Sequence, residues 1–303
     1  MLDIVVLGAA AGGGFPQWNS NAPACCRARA GDPAAPARTQ ASIAVSGDGT
    51  SWYVLNASPD LRTQINQTPD LHPRTGLRST PIAGVVLTSG EIDAITGLLT
   101  LRERQPFQLY ATRPVLEQLD ANPIFNALDR TLVPRLPMVL DQPLALDPPG
   151  FSITPFSVPG KVPLYAEKTE NPAEIMNNGE TIGLDITDGK AHVLFIPGCA
   201  MMTDDLRARL QGADAVFFDG TLWTDDEMLR AGLGSKTGKR MGHMSLANEP
   251  DGTFAAFAGL GVKRKILIHI NNSNPVLLAD SPERKQAEAA GWDVAFDGMK
   301  VRL

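Results

Sequence analysis

The stretch Val85-Val86-Leu87-Thr88-Ser89-Gly90-Glu91-Ile92-Asp93-Ala94-Ile95-Thr96-Gly97-Leu98-Leu99 decides the fold of this chain. Residues 83–87 form a short apolar run rich in β-branched side chains, which predicts a buried strand. From Ile92 to Leu101 the apolar residues recur at helical spacing, which predicts a helix. The polar turn between them, residues 89–93, would therefore lie at the end of a strand, where α/β folds hold their ligands.

Composition excludes several classes of protein. The chain has 303 residues, 43% of them hydrophobic, which is ample for a folded core. Its net charge of −6 argues against a non-specific nucleic-acid binder, so we expect no nucleic-acid partner. No run of about 18 apolar residues occurs, so we expect no membrane span. Residues 1–8 read directly as a strand rather than as a signal peptide, and three cysteines fit a reducing compartment, so a cytoplasmic location is expected.

The order of predicted elements indicates one domain. Strands and hairpins are followed by helices and then by strands and hairpins again, and no linker of different composition separates two halves. We therefore predict a single α/β (α+β) domain over residues 1–303, with two mixed sheets between helices. An Ala-, Pro- and Arg-rich segment at about 19–38 is expected to form a surface loop that carries Cys25 and Cys26.

Two of the four histidines stand where a site is expected. His269 ends a predicted buried strand and is followed by the polar run Asn271-Asn272-Ser273-Asn274, which favours a functional role. His243 lies in a glycine-flanked turn. His72 and His192 are expected to be surface or structural histidines.

The turn after the organising strand resembles the signature of the metallo-β-lactamase superfamily. There a strand ends in Thr, followed by H-x-H-x-D-H and a helix that opens with Gly-Leu. Four residues of this frame are retained, namely Thr88, Asp93, Gly97 and Leu98. Ser89 and Glu91 stand at the first two His positions and Ala94 at the third. The resemblance implies a four-layer αββα sandwich.

Later segments extend this resemblance to the ribonuclease-Z-like branch of the superfamily. Asp219-Gly220-Thr221 stands at a strand-end motif, Gly242-His243 matches a Gly-His turn, and Ile268-His269-Ile270 matches the last ligand strand. Cys199 replaces the bridging Asp. The ligand His usually found before residue 160 is missing.

Longer motifs are similar to the pyrroloquinoline quinone (PQQ) biosynthesis protein B family over essentially the whole chain. They are Gly12-Gly13-Gly14-Phe15-Pro16-Gln17-Trp18-Asn19, Asn56-Ala57-Ser58-Pro59-Asp60-Leu61-Arg62, Asp219-Gly220-Thr221-Leu222-Trp223, Arg240-Met241-Gly242-His243-Met244, His269-Ile270-Asn271-Asn272-Ser273-Asn274-Pro275 and Asp297-Gly298-Met299. The resemblance implies a role in PQQ biosynthesis. One implied step is hydroxylation of the tyrosine ring of the cross-linked Glu–Tyr precursor at a mononuclear iron site.

The remaining donors suit that chemistry. Asp93, His269 and Glu91 are the candidate metal ligands, and two carboxylates with one imidazole are close to the ligand set of non-haem Fe(II) oxygenases. Such a set is poor in nitrogen for a dinuclear zinc hydrolase. His243, with Asp219 close by, is the candidate catalytic residue for proton transfer.

Three residues are the candidate substrate-binding groups. Arg240, Asn271 and Asn272 could hold the carboxylates and polar groups of the precursor or of PQQ. We also expect contacts with other PQQ biosynthesis proteins, and a homodimer is one arrangement to test.

Two other classes of function stay open. A non-catalytic carrier could hold PQQ or its precursor for transport toward the periplasm, and Ala94, which lacks an imidazole, favours this alternative. A metal-dependent hydrolase ranks third. Relatives often carry a cysteine cluster after Trp-Asn that resembles a zinc site, but Ser20 and Ala22 replace two of those cysteines. Cys25 and Cys26 supply half of a tetrahedral shell, so a structural zinc held by them alone is not expected.

Overall fold

Two facing β-sheets form the centre of the molecule. The computed structural model describes residues 1–167, 175–247 and 250–303. In these residues the strands are β1 (Asp3–Gly8), β2 (Ser42–Ser46), β3 (Trp52–Leu55), β4 (Ile82–Val86), β5 (Gln108–Thr112), β6 (Arg135–Met138), β7 (Ser152–Ser157), β8 (Ile182–Thr187), β9 (His192–Ile196), β10 (Ala215–Asp219), β11 (Arg264–Ile268), β12 (Trp292–Val294) and β13 (Lys300–Arg302).

Short helices connect the strands and cover the sheets. In the described parts of the chain they are α1 (Pro23–Arg29), α2 (Leu61–Gln67), α3 (Ile92–Ile95), α4 (Arg113–Ala121), α5 (Asp204–Leu210), α6 (Glu227–Arg230), α7 (Gly238–Met241), α8 (Thr253–Ala256) and α9 (Pro282–Ala289). Short 3-10 helices occur at Pro69–Leu71, Thr96–Leu101, Pro123–Ala127, Leu164–Ala166 and Pro275–Leu277.

Each sheet contains a group of parallel strands, and their carboxyl ends lie at one edge of the sheet. The first sheet has the order β13-β1-β2-β3-β4-β5-β6, and β3, β4, β5 and β6 are parallel to one another. The second has the order β12-β11-β10-β9-β8-β7, and β9 to β12 are parallel. Parallel strands bring their carboxyl ends to one edge of a sheet, so the turns after β4, β10 and β11 are presented together.

Three apolar clusters lie between the four layers. The cluster between the sheets contains inward-facing residues of both, such as Ile43, Leu55, Phe195 and Phe217. A second cluster packs the outer face of the first sheet against its helices, and a third does so for the second sheet. These clusters confirm the predicted αββα arrangement. Helices lie on the outside because both faces of each sheet are apolar and must be buried.

The helix after the organising strand is shorter than its apolar pattern predicts. Regular α-helix α3 ends at Ile95, and the chain continues as 3-10 helix from Thr96 to Leu101. Gly97 explains part of this tightening, since a Cβ atom there would overlap the carbonyl oxygen of Ser58. The backbone of this turn therefore packs directly against the segment after β3.

The segment at 19–38 is not wholly a surface loop. It contains α1, and Cys25 on that helix is fully buried in the outer cluster of the second sheet. Ala35 is buried there as well. The sequence did not predict this burial because only one side of α1 packs, and the polar and charged residues of its other side dominate the composition of the segment. Among the described residues, none of the helices is long and apolar enough to cross a membrane.

Candidate active site between the two sheets

A cavity of about 520 Å³ opens at the carboxyl ends of the strands. Glu91 and Asp93 reach it from the turn between β4 and α3, in the first sheet. Thr221, His243 and His269 reach it from the second sheet and its connections. The structure thus brings together residues that are widely separated in the chain, as their positions at predicted strand ends indicate.

Asp93 and His269 form a direct pair across the two sheets. Nε2 of His269 lies 2.9 Å from Oδ2 of Asp93. Burial is the largest influence on Asp93 and alone would raise its pKa, but the hydrogen bond and charge of His269 outweigh it, so the pKa is lowered. Burial alone would lower the pKa of His269, but Asp93 and the charges of Asp219 and Glu91 raise it. Each member of the pair therefore stabilises the charged form of the other.

The backbone of His269 has an unusual conformation. Its φ is +58°, in the left-handed region that non-glycine residues rarely adopt. The residue follows β11 directly, and the backbone N–H of Ile270 donates to the carbonyl of Ala9. Pairing on both sides of this turn holds the strained residue, which turns its ring toward the cavity.

Asp219 and His243 form a second pair behind the first. The Asp219 carboxylate is fully buried, and its Oδ2 accepts hydrogen bonds from the backbone N–H of Cys199 at 2.9 Å and from Nδ1 of His243 at 2.7 Å. We assign the proton to Nδ1 because its partner is a carboxylate. This hydrogen bond fixes the ring of His243 and leaves Nε2 as the nitrogen that can accept or give up a proton.

Thr221 connects the two pairs, and the sequence alone assigns it no role. Its Oγ1 lies 2.6 Å from Oδ1 of Asp219, 3.1 Å from Nδ1 of His243 and 2.9 Å from Nδ1 of His269. The hydroxyl can donate to the carboxylate while it accepts from an imidazole N–H. The only sequence feature that indicated a role for Thr221 was its position two residues after Asp219 at a strand end. Its histidine partners come from other parts of the chain.

The two imidazole rings stack rather than converge. Their centroids are 5.1 Å apart and their planes differ by 20°. A ring nitrogen binds a metal in the plane of its ring, and the planes of these two rings are nearly parallel rather than crossing at one point. Ligand atoms of Asp219, His243 and His269 do lie within 4.8 Å of one another. The Thr221 hydroxyl nevertheless lies among the Nδ1 atoms of this group, which leaves Nε2 of His269, beside Asp93, as the favoured donor.

The other predicted residues are placed as follows. Glu91 lines the cavity, and its Oε1 accepts a hydrogen bond from Nζ of Lys161 at 2.7 Å. Asn271 lines the cavity and donates to the thioether of Met228. Among the described lining residues, neither Arg240 nor Asn272 appears.

Arg240 and Asn272 have partners outside the cavity wall. Arg240 lies 3.8 Å from a carboxylate oxygen of Glu167. Asn272 is buried, donates to the side chain of Gln17 and accepts from the thiol of Cys25 at 3.7 Å.

Cys199 stands at the position of the bridging Asp but is chemically different. Its side chain is fully buried, and the thiol donates to the carbonyl of Met201 at 3.2 Å. Burial, together with the nearby charge of Asp219, raises the pKa of this thiol far above its ordinary value. In this structure Cys199 is therefore a buried hydrogen-bond donor, whereas the bridging Asp of the superfamily pattern presents a carboxylate.

The fold and the strand-end site define a protein of the metallo-β-lactamase class. The family model described as "Beta-lactamase superfamily domain" matches residues 51–270. Solved structures under 25% identical show the same fold. One is a diphosphatase of the PhnP family, with 22% identity, a TM-score of 0.68 and coverage of 99% of this chain and 96% of that one.

The chain belongs to the coenzyme PQQ synthesis protein B family. The relative of that name from Gluconacetobacter diazotrophicus is 73% identical over 99% of both chains. The relative from Gluconobacter oxydans is 59% identical over 100% of this chain and 99% of the other. The crystal structure of Zn²⁺-bound PqqB from Methylobacterium extorquens is 49% identical, with a TM-score of 0.96 and coverage of 99% of this chain and 100% of that one. The family resemblance is confirmed, and with it a role in PQQ biosynthesis.

Proposed function

We propose that this chain hydroxylates the tyrosine ring of the cross-linked Glu–Tyr precursor of PQQ at a mononuclear iron site. The observation that carries the proposal is the Asp93–His269 pair, which faces the cavity with an Asp–His proton-transfer pair directly behind it. A carboxylate and an imidazole nitrogen 2.9 Å apart can bind one ion once the proton between them is released.

The donor set fits one ion better than two. Asp93 and His269 would hold the metal, and the second carboxylate oxygen of Glu91 could join them while Lys161 occupies the first. Nitrogen and oxygen donors of this kind suit Fe(II) and also Zn²⁺, the ion bound to the Methylobacterium protein. Bound iron would supply the chemistry of O₂ activation, which protein side chains lack.

The Asp219–His243 pair is the proton-transfer device of the proposal. Asp219 holds Nδ1 of His243, so Nε2 can take the proton of a phenol or return one to the product. Thr221 keeps the ring of His269 at a fixed angle to that of His243. A preorganised arrangement of this kind avoids reorientation during the reaction.

Asn271 is the substrate-binding residue with a place in the cavity wall. We assign to it a hydrogen bond with the precursor. Asn272 contacts Gln17 and so positions the glycine-rich segment at residues 12–14. Arg240 contacts Glu167 and so positions that part of the chain beside the cavity. Both are therefore proposed to act on the substrate through their neighbours.

Anaerobic reconstitution tests the proposal directly. The protein is loaded with one equivalent of Fe(II), mixed with the Glu–Tyr precursor and the two-electron reductant ascorbate and exposed to O₂, and the product is analysed by mass spectrometry. One oxygen atom of O₂ enters the ring, and the two electrons of ascorbate with two protons reduce the other atom to water. We expect the mass of one added oxygen atom on the tyrosine ring. A precursor that stays unchanged with fully loaded protein would contradict the hydroxylase function.

A carrier of PQQ or its precursor is the second candidate. Ala94 offers no imidazole, and Lys161 already pairs with Glu91, so the metal site has fewer donors than the superfamily pattern. Calorimetric titration of metal-free protein with PQQ tests this function. Saturable binding without turnover of the precursor would favour the carrier, with delivery toward the periplasm as its purpose.

A further inference from the structure

The cavity contains two lysines to which the proposed reaction assigns no contact with the substrate. Lys161 and Lys236 both line it, and they come from different segments of the chain. Lys161 precedes the 3-10 turn Leu164–Ala166, and Lys236 lies between α6 and α7. The cavity that holds the Asp93–His269 pair therefore also carries two ammonium groups.

Lys161 is embedded in the wall rather than free on the surface. Its side chain is 13% exposed, and Nζ donates to Glu91 at 2.7 Å and to the carbonyl oxygen of Val162 at 3.2 Å. An ammonium group has three N–H donors. These two acceptors leave one N–H for a group that enters the cavity.

Lys236 is held more loosely. Its Nζ lies 3.5 Å from a carboxylate oxygen of Glu167, a side chain that is itself 13% exposed. The other oxygen of Glu167, Oε1, is buried and has no hydrogen-bond partner among the described residues. The 3.5 Å separation leaves the ammonium of Lys236 able to turn toward a better-placed anion.

We propose that Lys161 and Lys236 bind carboxylates of the substrate and so direct its ring toward Asp93 and His269. The identity of that substrate rests on the proposed function. Asp93 lines the cavity beside His269, so a carboxylate of the substrate is disfavoured next to Asp93 and favoured at the ammonium groups of the two lysines. One orientation results, with the reacting ring at the imidazoles and the carboxylates at the ammonium groups.

The test uses PQQ, a tricarboxylate, and its trimethyl ester as probes of the metal-free protein. Affinities are measured by calorimetry for the wild type, Lys161→Met and Lys236→Met. Lys239→Met is the matched control, because Lys239 is exposed on the neighbouring helix and is not a cavity residue. Thermal melting of every variant verifies that it is folded.

We expect each cavity variant to bind PQQ about tenfold more weakly, because a charge-assisted hydrogen bond is lost. The ester should bind equally well to all proteins, and Lys239→Met should match the wild type. Lys161→Arg should retain much of the affinity for PQQ. Equal PQQ affinity in the wild type and in both folded cavity variants would overturn the proposal, as would an equal loss for the ester.

The experiments distinguish failure of the lysine proposal from failure of the hydroxylase proposal. Loss of PQQ binding in the lysine variants with no hydroxylation by the wild type would support the lysines and contradict the reaction. Hydroxylation by both lysine variants at wild-type kcat and KM would support the reaction and contradict the lysines.

Discussion

Nε2 of His269 lies 2.9 Å from Oδ2 of Asp93, although 176 positions separate the two residues in the chain. Asp93 follows β4 in the first sheet, and His269 follows β11 in the second. The contact therefore depends on the packing of one sheet against the other. It also defines which nitrogen of His269 faces a ligand, because Thr221 occupies the other one.

We predict that His269→Ala abolishes both metal uptake and hydroxylation. The change removes the imidazole donor and leaves carboxylates, which suit Mg²⁺ or Ca²⁺ better than iron. Metal content after anaerobic reconstitution and desalting is the measurement. Full Fe(II) occupancy in the variant would remove His269 from the ligand set.

His243→Ala is expected to keep its metal and lose rate. The ring contacts Asp219 and Thr221 and stacks on His269, and its proposed role is proton transfer rather than metal binding. Loss of a general acid–base group lowers kcat by about 10²–10⁴-fold. Single-turnover measurements at equal metal loading check this, and an empty metal site in His243→Ala would contradict it.

Thr221→Val should destabilise the protein and loosen both histidines. Valine has nearly the same shape but leaves the buried Asp219 and the imidazole nitrogens without their shared hydroxyl, at a cost of about 1–3 kcal/mol in the free energy of unfolding. Urea unfolding measures the loss, and NMR of the imidazole nitrogens shows whether each ring keeps one tautomer. Thr221→Ser is the control and should behave like the wild type on both counts.

The His192–Asp185 pair predicts a small pH dependence of stability. The side-chain hydrogen bond to Asp185, at 3.2 Å, raises the pKa of His192 above its ordinary value of 6.5. The folded state therefore favours the protonated ring, and the stabilisation is complete below pH 6.5 and disappears as the pH rises through the raised value. Because the pair is partly exposed, we expect about 0.3–0.5 kcal/mol.

Comparison of wild type with His192→Gln measures this effect. The variant should be less stable than the wild type in acid and equal to it in alkali, with Asp185→Asn giving the same profile. A difference that is constant with pH would show that the pair contributes no charge-dependent stability.

Cys25 and Cys26 should bind no structural zinc on their own. The buried thiol of Cys25 faces Asn272, whereas the exposed Cys26 thiol donates to the carbonyl of Asn21. The two sulfur atoms thus have different surroundings, and two thiols fill half of a tetrahedral shell. Metal analysis after dialysis is the check, and an equimolar zinc that disappears in the Cys25→Ser/Cys26→Ser double variant would prove the prediction wrong.

Local patterns in the sequence were sufficient to predict the two sheets between helices and the position of His269 at a strand end. The apolar runs ending at Leu87, Phe218 and Ile270 mark strands within about two residues, since buried parallel strands must be continuously apolar. Polar residues at the end of such a run, or in the turn that follows it, lie at the edge of the sheet. That reasoning places Asp93, Asp219 and His269 together from residue order and polarity alone.

The partners of these residues could not be predicted in the same way. Thr221 acquires its role from rings 22 and 48 positions away, and Cys25 from an asparagine 247 positions away. Likewise, Lys161 becomes a cavity residue only because Glu91 meets it across 70 positions. Such contacts result from tertiary packing, and neither periodicity nor residue type encodes them locally.

The division of the cavity wall between two sheets has a thermodynamic consequence. A molecule that touches both Asp93 and His269 has no binding site unless the sheets are packed together, so it binds the folded chain alone. Its binding free energy is then added to the stability of the whole chain and grows with the logarithm of ligand concentration. A shift of the melting temperature can therefore rank metals and carboxylates for this cavity without any measurement of turnover.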